Sequence, residues 1–327
     1  MAKRDLTAAC MAVVQAVRAG LCDDTSTITV VRVACSGGAD SLALAAGLAW
    51  LDARDPDPLR RSCAMVVDHG LQPGSSAVAA NVADVLVGLG LDTEVTPVTV
   101  SSGPDGLEAA ARAARYAALT SGAVNIVLLG HTMDDQAETV LLGLARGSGT
   151  RSLAGMPAQW DDRDGSVKLV RPLLGLRREV TRQACVDWGL TPWEDPMNND
   201  DRFSRVRARR LLPVLDAELG PGIVEALSRT AALARADADY LDVLVDLLGQ
   251  PFEAELPVEL IAGSAPALRG RLVRRWLESQ GVIAQSYERT QAVLTLVEDW
   301  SGQTGVDLMG GHRVLRRDNK LRLDRSL

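Results

Sequence analysis

Apolar runs rich in β-branched residues alternate with apolar-faced helical stretches through the first half of the chain. Val30-Val31-Arg32-Val33-Ala34 reads as a strand that runs into Cys35-Ser36-Gly37-Gly38, and residues 41–52 continue as a helix rich in Ala and Leu. Cys63 to Val67 is a second strand ending at Asp68-His69-Gly70-Leu71, and a helix of about 76–89 is closed by Gly88 and Gly90. Thr93 to Val100 is a third β-rich run, Leu107 to Leu119 is helical, and Val124 to Leu129 is a near-continuously apolar fourth strand. Gly130-His131-Thr132 opens the next helix. Apolar strands alternating with helices predict an α/β fold built on a doubly wound parallel sheet. Ligands of such sheets lie beyond the C-terminal ends of the strands, where Ser36–Ser41, Asp68-His69 and Gly130–Glu138 all fall. At the N-terminus, Leu6, Cys10, Val13, Val17 and Leu21 share one helical face interrupted by Gln15 and Arg18. This predicts an amphipathic helix packed on the domain, and not a signal peptide.

Residues 145–175 read as loop-rich, with an acidic turn at Asp161–Asp164. Leu176 to Gly189 is helical with Arg177, Arg178 and Arg182 on its polar side, and residues 190–201 are turn-rich. Past Pro213 the texture changes to a long Ala- and Leu-rich helix over 215–250, with a break near Gly220-Pro221. Helices follow at 265–280 and 286–300, and two short strands are expected around Gly310-Gly311 and Asp318-Asn319. The expected organisation is two domains, 1–214 and a smaller, mainly helical 215–327.

With 327 residues, 47% apolar and 24% charged, the chain has a globular composition. No apolar run approaches the ~20 residues of a membrane span. Its five cysteines (Cys10, Cys22, Cys35, Cys63, Cys185) are scattered without a Cys-x-x-Cys pair. That pattern indicates neither a zinc ribbon, an iron–sulfur site nor a disulfide framework, and points to reduced thiols in the cytoplasm. The net charge of −7 argues at first against a nucleic-acid partner, but its distribution matters more. Arg202, Arg205, Arg207, Arg209 and Arg210 lie within nine residues, and the C-terminus carries Arg313, Arg316, Arg317, Lys320, Arg322 and Arg325. Only three lysines occur in the chain, so both patches are arginine patches suited to bidentate phosphate contact.

Three stretches carry candidate chemistry. In Ser36-Gly37-Gly38-Ala39-Asp40-Ser41, glycines, hydroxyls and a helix N-terminus converge on one spot that suits a phosphate. The loop is neither a Walker loop nor a dinucleotide fingerprint. In Gly130–Thr139, Met133, Ala137, Val140, Leu141 and Leu144 form a buried stripe flanked by Asp134, Asp135 and Glu138. Those acids suit the positive end of the helix dipole, and beside a phosphate loop they suit Mg²⁺ or an ammonium group. His131 could bind a base or a phosphate. In Asn198–Arg210 the arginines read either as a solvated face or as an outward ridge contacting RNA phosphates. Glu108, Arg112 and Arg115 either pair along their own helix or face the cleft.

The first loop resembles the pyrophosphate loop of ATP-pyrophosphatases, and the order of motifs resembles the tRNA(Ile)-lysidine synthetase family. The carriers are Ser36–Ser41, Val67–Leu71, Glu108–Tyr116, Gly130–Thr139, Arg146–Gly149, Arg171–Leu174 and Asp195–Arg210. Gln72, Met197 and Arg151-Ser152-Leu153 depart from the pattern outside the loop and the acidic helix. The resemblance implies an adenine nucleotide alpha hydrolase-like (PP-loop) catalytic domain over 1–214 and a tRNA-binding domain over 215–327. It also implies that ATP adenylates the C2 oxygen of the wobble cytidine in tRNA(Ile) with a CAU anticodon, and that free L-lysine then displaces AMP to give lysidine. On that pattern Ser36, Gly37, Gly38, Ala39, Asp40, Ser41, Asp68, Gly130 and His131 would bind ATP, with Asp40 holding Mg²⁺. Asp134, Asp135 and Glu138 would hold lysine. Asp40, His131, Arg112 and Arg205 would be catalytic, and Arg115, Arg202, Arg205, Arg207 and Arg209 would contact tRNA. The rivals are a tRNA thiolase, which would need nucleophilic cysteines, an ammonia-using amide synthetase, and a non-catalytic RNA-binding protein.

Overall fold

Strand β1 (Thr29–Ala34) lies in the middle of a six-stranded sheet of order β3-β2-β1-β4-β6-β5. The computed structural model describes residues 6–21, 29–70, 72–100, 107–147, 149–162, 164–248, 254–282 and 286–325. Cys22, Leu71, Ser148 and the side chains of Glu108, Asn198 and Asn199 lie outside that description. Strands β2 (Arg60–Asp68), β3 (Asp92–Pro97), β4 (Ile126–Leu128) and β6 (Lys168–Val170) continue the parallel order of β1, and β5 (Gln159–Asp161) is antiparallel to β6. The β5–β6 hairpin was not expected from sequence in the stretch that reads as loop-rich. Its acidic turn is real, because Asp162 accepts the Ser166 and Val167 N–H groups.

Helices α1 (Ala8–Gly20), α2 (Ala39–Arg54) and α3 (Ser75–Gly88) cover one face of this sheet. Val13, Val17, Leu44, Leu48, Val82 and Leu86 pack there with Val31 and Val33 in one core. The opposite face meets α4 (Leu107–Leu119) through Met65, Leu119, Val127 and Leu169. Arg32 is buried in β1 and donates to the Leu119 and Ser121 carbonyls at 2.7 and 2.8 Å. A charge buried in the sheet thus satisfies the end of α4, whose last carbonyls have no helical partner. The helix α5 (Met133–Arg146) follows β4, and α7 (Arg178–Trp188) follows a 3₁₀ turn at Pro172–Gly175. A second 3₁₀ turn, Pro196–Asn199, leads into α8 (Ser204–Leu219).

The chain divides into two compact units, Met1–Leu142 with Gly155–Arg229, and Gly143–Ala154 with Thr230–Leu327. The change of texture near 214 falls inside α8. Residues past it stay with the first unit because Leu212 of α8 and Val224, in the first turn of α9 (Ile223–Leu248), pack on Ala137 of α5. Leu219 and Gly220 end α8, which places the expected break where glycine and proline stand.

The second unit holds the short helix α6 (Thr150–Leu153), α10 (Val258–Gly263), α11 (Pro266–Ser279), α12 (Tyr287–Glu298) and a four-stranded antiparallel sheet. Its strands are β7 (Glu255–Pro257), β8 (Val306–Asp307), β9 (His312–Arg317) and β10 (Lys320–Arg325). Ile261, Val273, Trp276, Val293, Val314 and Leu321 form its core. The segment Gly143–Ala154 belongs here through Arg151, which pairs with Asp239 and Asp242, and through Arg271, which pairs with Asp242 and donates to Thr150. In the C-terminal basic patch, Arg316 is turned onto the Trp300 ring and the Leu296 carbonyl, while Arg317 is exposed. Lys320 and Arg322 pair with Glu255.

Candidate active site

The chain goes from β1 to β2 to β3 on one side and returns as β4 on the other, so the sheet's order reverses between β1 and β4. Ser36–Ser41 follows β1 and Gly130–Glu138 follows β4. A cleft of about 1160 Å³ opens there, lined by Ser36, Gly38–Ser41, Asp68, His69, Arg115, Tyr116, Gly130, His131, Asp135, Arg178, Trp193 and Arg209. It lies within the first unit.

The loop is shaped by its own hydroxyls. Ser41 donates to the Gly38 carbonyl at 3.0 Å, accepts the Ser36 N–H at 3.2 Å and contacts Ser36 Oγ at 3.3 Å. Gly37 takes φ +85°, which favours glycine. Gly38 caps α2 without a side-chain hydrogen bond, leaving the first amides of α2 available to an anion. Gly130 lies against this turn, and a Cβ there would sit 3.0 Å from Ser41 N and Cα. Gly130→Ala is therefore expected to push the loop aside, costing about 1–3 kcal/mol of stability and weakening phosphate binding at the loop. Thermal unfolding and nucleotide titration of the variant check this.

At the end of β2, Asp68 accepts the Gly70 N–H at 3.0 Å and the Ser76 hydroxyl at 2.8 Å. These bonds, the Gly70 amide foremost, hold its carboxyl below the usual range. Beside it His69 has a buried Nδ1 with no hydrogen-bond partner. Asp195 Oδ1 accepts from Gln72 at 3.1 Å and from the Met197 N–H at 2.9 Å, so two of the positions that depart from the family pattern meet on one carboxylate.

The acidic helix is organised by arginines. Asp135 Oδ2 reaches back to the Thr132 N–H at 2.8 Å and hydroxyl at 2.9 Å, in the manner of a capping box, while its Oδ1 meets Arg178 at 2.5 Å. Arg178 also reaches Glu138 Oε1 at 3.2 Å and Asp40 Oδ2 at 3.4 Å. Asp134 accepts the Arg178 backbone N–H at 2.7 Å, capping α7 from outside, and pairs with Arg177. Glu138 is fully buried. Its Oε1 takes Arg209 at 2.8 Å, and its Oε2 has no hydrogen-bond partner. Burial pushes the Asp135 carboxyl up, but its charged and hydrogen-bonding neighbours, Arg178 foremost, hold it below the usual range. Burial raises that of Asp40, partly offset by a hydroxyl from Thr181. Arg177 and Arg178 read from sequence only as the polar side of a helix. Their partners lie more than thirty residues away in the chain, where no local spacing reveals them.

The arginine ridge is not continuous. Arg209 turns inward onto Glu138, because a buried carboxylate needs a counter-charge. Arg202 pairs with Asp200, Arg210 pairs with Asp201, and Arg207 donates to the Asp201 and Arg202 carbonyls. Arg205 has no hydrogen-bond partner among the described residues. Arg112 is exposed over the Tyr116 ring at 4.9 Å and donates to its hydroxyl, and Arg115 lines the cleft. His131 accepts at Nδ1 from Arg171 Nε at 3.2 Å. Burial, and Arg171 next, push its pKa down to about 3.

Asp40 is a fitting Mg²⁺ ligand in chemical type, since Mg²⁺ commonly binds through one or two carboxylates and substrate phosphates. Among the described residues no group of three or more His, Cys, Asp or Glu is arranged to hold a metal by itself. The thiols of Cys10, Cys35 and Cys185 are buried and their pKa values raised by burial, up to about 12 for Cys185, which disfavours the thiolate. No helix among the described residues is long and apolar enough to cross a membrane.

Residues 13–215 match the PP-loop domain family, and residues 256–322 match the TilS substrate binding domain. A tRNA(Ile)-lysidine synthase of Rhodococcus erythropolis is 50% identical over 93% of this chain and 91% of its own length. That of Salinispora tropica is 48% identical over 89% of each chain. The U34-tRNA thiolase NcsA from Methanococcus maripaludis, solved with its [4Fe-4S] cluster, aligns with a TM-score of 0.58 at 17% identity, covering 70% of this chain and 80% of its own. That likeness shows the fold alone. With a PP-loop domain, a TilS substrate binding domain and near-full-length relatives at about half identity, the chain belongs to the tRNA(Ile)-lysidine synthase family.

Proposed function

We infer that this enzyme uses ATP to join L-lysine to C2 of the wobble cytidine of tRNA(Ile) with a CAU anticodon, releasing AMP and pyrophosphate. The observation that carries the reading is the adjacency of Asp40, in the phosphate loop, to Asp135 and Glu138, all within reach of the single guanidinium of Arg178. Activation and amine capture then lie side by side, with Asp40 and Asp135 lining the cleft and Glu138 buried beside them on Arg178.

In the first step the cytidine O2 attacks the α-phosphorus and the bond to the β-phosphate breaks. The free amides at the start of α2, with Ser36 and Ser41, hold the departing pyrophosphate. Asp40 would hold Mg²⁺, which when bound neutralises phosphate charge. Asp68, His69 and Gly130 line the remainder of the nucleotide site. In the second step the lysine ε-amine forms the bond to C2 and AMP leaves with the oxygen. Asp134 and Asp135 are already engaged by backbone and arginine donors, so the acceptor for the substrate's α-ammonium is Glu138 Oε2, with Arg178 yielding part of its hold on the cluster. Among the described residues Arg112 and Arg205 meet no carboxylate, which supports roles for both near the target nucleotide. Arg115, Arg202 and Arg207 contact the RNA backbone, and Arg209 acts instead through Glu138. The second unit binds tRNA. The unpaired thiols of the four described cysteines fit a reducing, cytoplasmic setting.

The test is incubation with ATP, Mg²⁺, labelled lysine and a CAU-anticodon tRNA. Label is expected in that tRNA and absent from one with uridine at the wobble position. Equal labelling of both would overturn the reading. Glu138→Gln is expected to raise KM for lysine about 10–100-fold, the loss of one charged hydrogen bond of about 1.5–3 kcal/mol.

A further inference from the structure

We propose that Arg171 is a positioning residue that locks His131 as a neutral imidazole carrying its proton on Nε2, so that His131 donates a hydrogen bond in the cleft and never acts there as a base. A guanidinium has no lone pair and can only donate. Its Nε–H lies 3.2 Å from His131 Nδ1, so Nδ1 must be the acceptor and the ring proton must sit on Nε2. His131 lines the cleft, and Nε2 has no protein hydrogen-bond partner among the described residues.

Arg171 is itself held by its other neighbours. It is 4% exposed at the end of β6, its guanidinium lies 4.0 Å from the centre of the Trp160 ring, and it donates to the Pro157 carbonyl at 2.6 Å. That carbonyl is fixed in turn, because Gln136 of α5 brackets Met156, donating to its carbonyl at 3.0 Å and accepting its N–H at 2.7 Å. A chain of contacts thus runs from α5 through the 156–157 turn and the β5–β6 hairpin back to His131. The charged groups around His131 are Arg171, Asp135, Arg115 and Arg112. The three arginines oppose an imidazolium and Asp135 favours one. With burial, the balance keeps the ring neutral.

The chemical consequence rests on the adenylation reading. A neutral N–H donor aimed at a phosphate oxygen stabilises charge developing on the α-phosphate with no proton transfer and no dependence on pH near neutrality. The tautomer itself is independent of that reading and can be observed without substrate.

The experiment begins with the whole protein labelled with ¹⁵N-histidine. The chain has three histidines, so His131 is assigned by the resonance lost in His131→Asn. The expected spectrum shows Nδ1 of His131 unprotonated and Nε2 protonated, unchanged from about pH 5 to about pH 8. An Nδ1-protonated ring, or a ring titrating in that window, would overturn the proposal. In Arg171→Met the tautomers are expected to mix and titration to enter the window. A His131 spectrum unchanged in that variant, with His69 and His312 reporting an intact fold, would also overturn it. Arg171→Lys keeps the charge without the planar Nε–H and is expected to behave like Arg171→Met. In tRNA-dependent ATP–pyrophosphate exchange, Arg171→Met should lower kcat at least about 10-fold, and should have no further effect in a His131→Ala background. A wild-type spectrum as expected together with additive kinetic losses would leave the tautomer standing and remove the catalytic role.

Discussion

Arg178→Ala is expected to cost the first unit about 3–5 kcal/mol, because it leaves Asp40, Asp135 and Glu138 facing one another without their shared counter-charge. At about 2–4 °C per kcal/mol for a unit of this size, the unfolding midpoint should fall by roughly 6–20 °C. The loss should shrink on acidification. Asp135 has a carboxyl pKa lowered by Arg178, so in the wild type it contributes stability above its unfolded value and loses it as pH falls. Asp40 is already raised above its ordinary 3.8, and without Arg178 it rises further and opposes folding at neutral pH until it is protonated. Both effects bring variant and wild type together as pH drops from neutral toward the carboxylate range. Thermal melts at neutral and acidic pH read this directly. A midpoint within about 1 °C of wild type at neutral pH would show that the cluster is held by something other than Arg178.

Asp40→Asn is expected to lower tRNA-dependent ATP–pyrophosphate exchange by about 10²–10³-fold, the scale on which a single preorganised group acts on developing charge. Asparagine keeps the shape and can still accept from Thr181, so the melting temperature should change far less than in Arg178→Ala. The loss should fall on kcat for exchange, with KM for lysine nearly unaffected, in contrast to Glu138→Gln. Exchange retained at more than a tenth of wild type would remove Asp40 from the activation step.

Much of this arrangement could be read from the chain before the structure, for identifiable reasons. The parallel sheet was legible because β4 and the Cys63–Val67 stretch of β2 are apolar without interruption and β1 is broken only by Arg32 between its valines. The two loops were legible because a strand, a glycine turn and a helix start occupy adjacent residues. What escaped was set by contacts between distant segments. β5 and β6 are three residues each and carry Trp160 and Lys168, too short and too mixed to show a period. Arg178 and Arg209 share their spacing with exposed arginines on the same helices. Only the positions of Asp40, Asp135 and Glu138 on other helices turn them inward. Arg171 stands in the Arg171–Leu174 motif, but its role depends on Trp160, Pro157 and His131, which local periodicity does not connect.

The reversal of strand order between β1 and β4 has a consequence for how the protein reaches its native state. Val31 pairs with Ser62 on one side and with Ile126 on the other. The first partner follows soon after β1 in the chain, whereas the second comes roughly ninety residues later. At about 5–20 residues per second of synthesis, one edge of β1 waits on the order of 5–20 s for its partner. Loop closure of that length makes the β4 docking late and slow. The cleft between the β1 and β4 loops comes into existence only at that event, so on the proposed reading ATP has nothing to bind in earlier partly folded states. Nucleotide should therefore slow unfolding while leaving the early folding phases unchanged, and the unpaired edge of β1 is the surface on which a nascent chain is most exposed to misassembly.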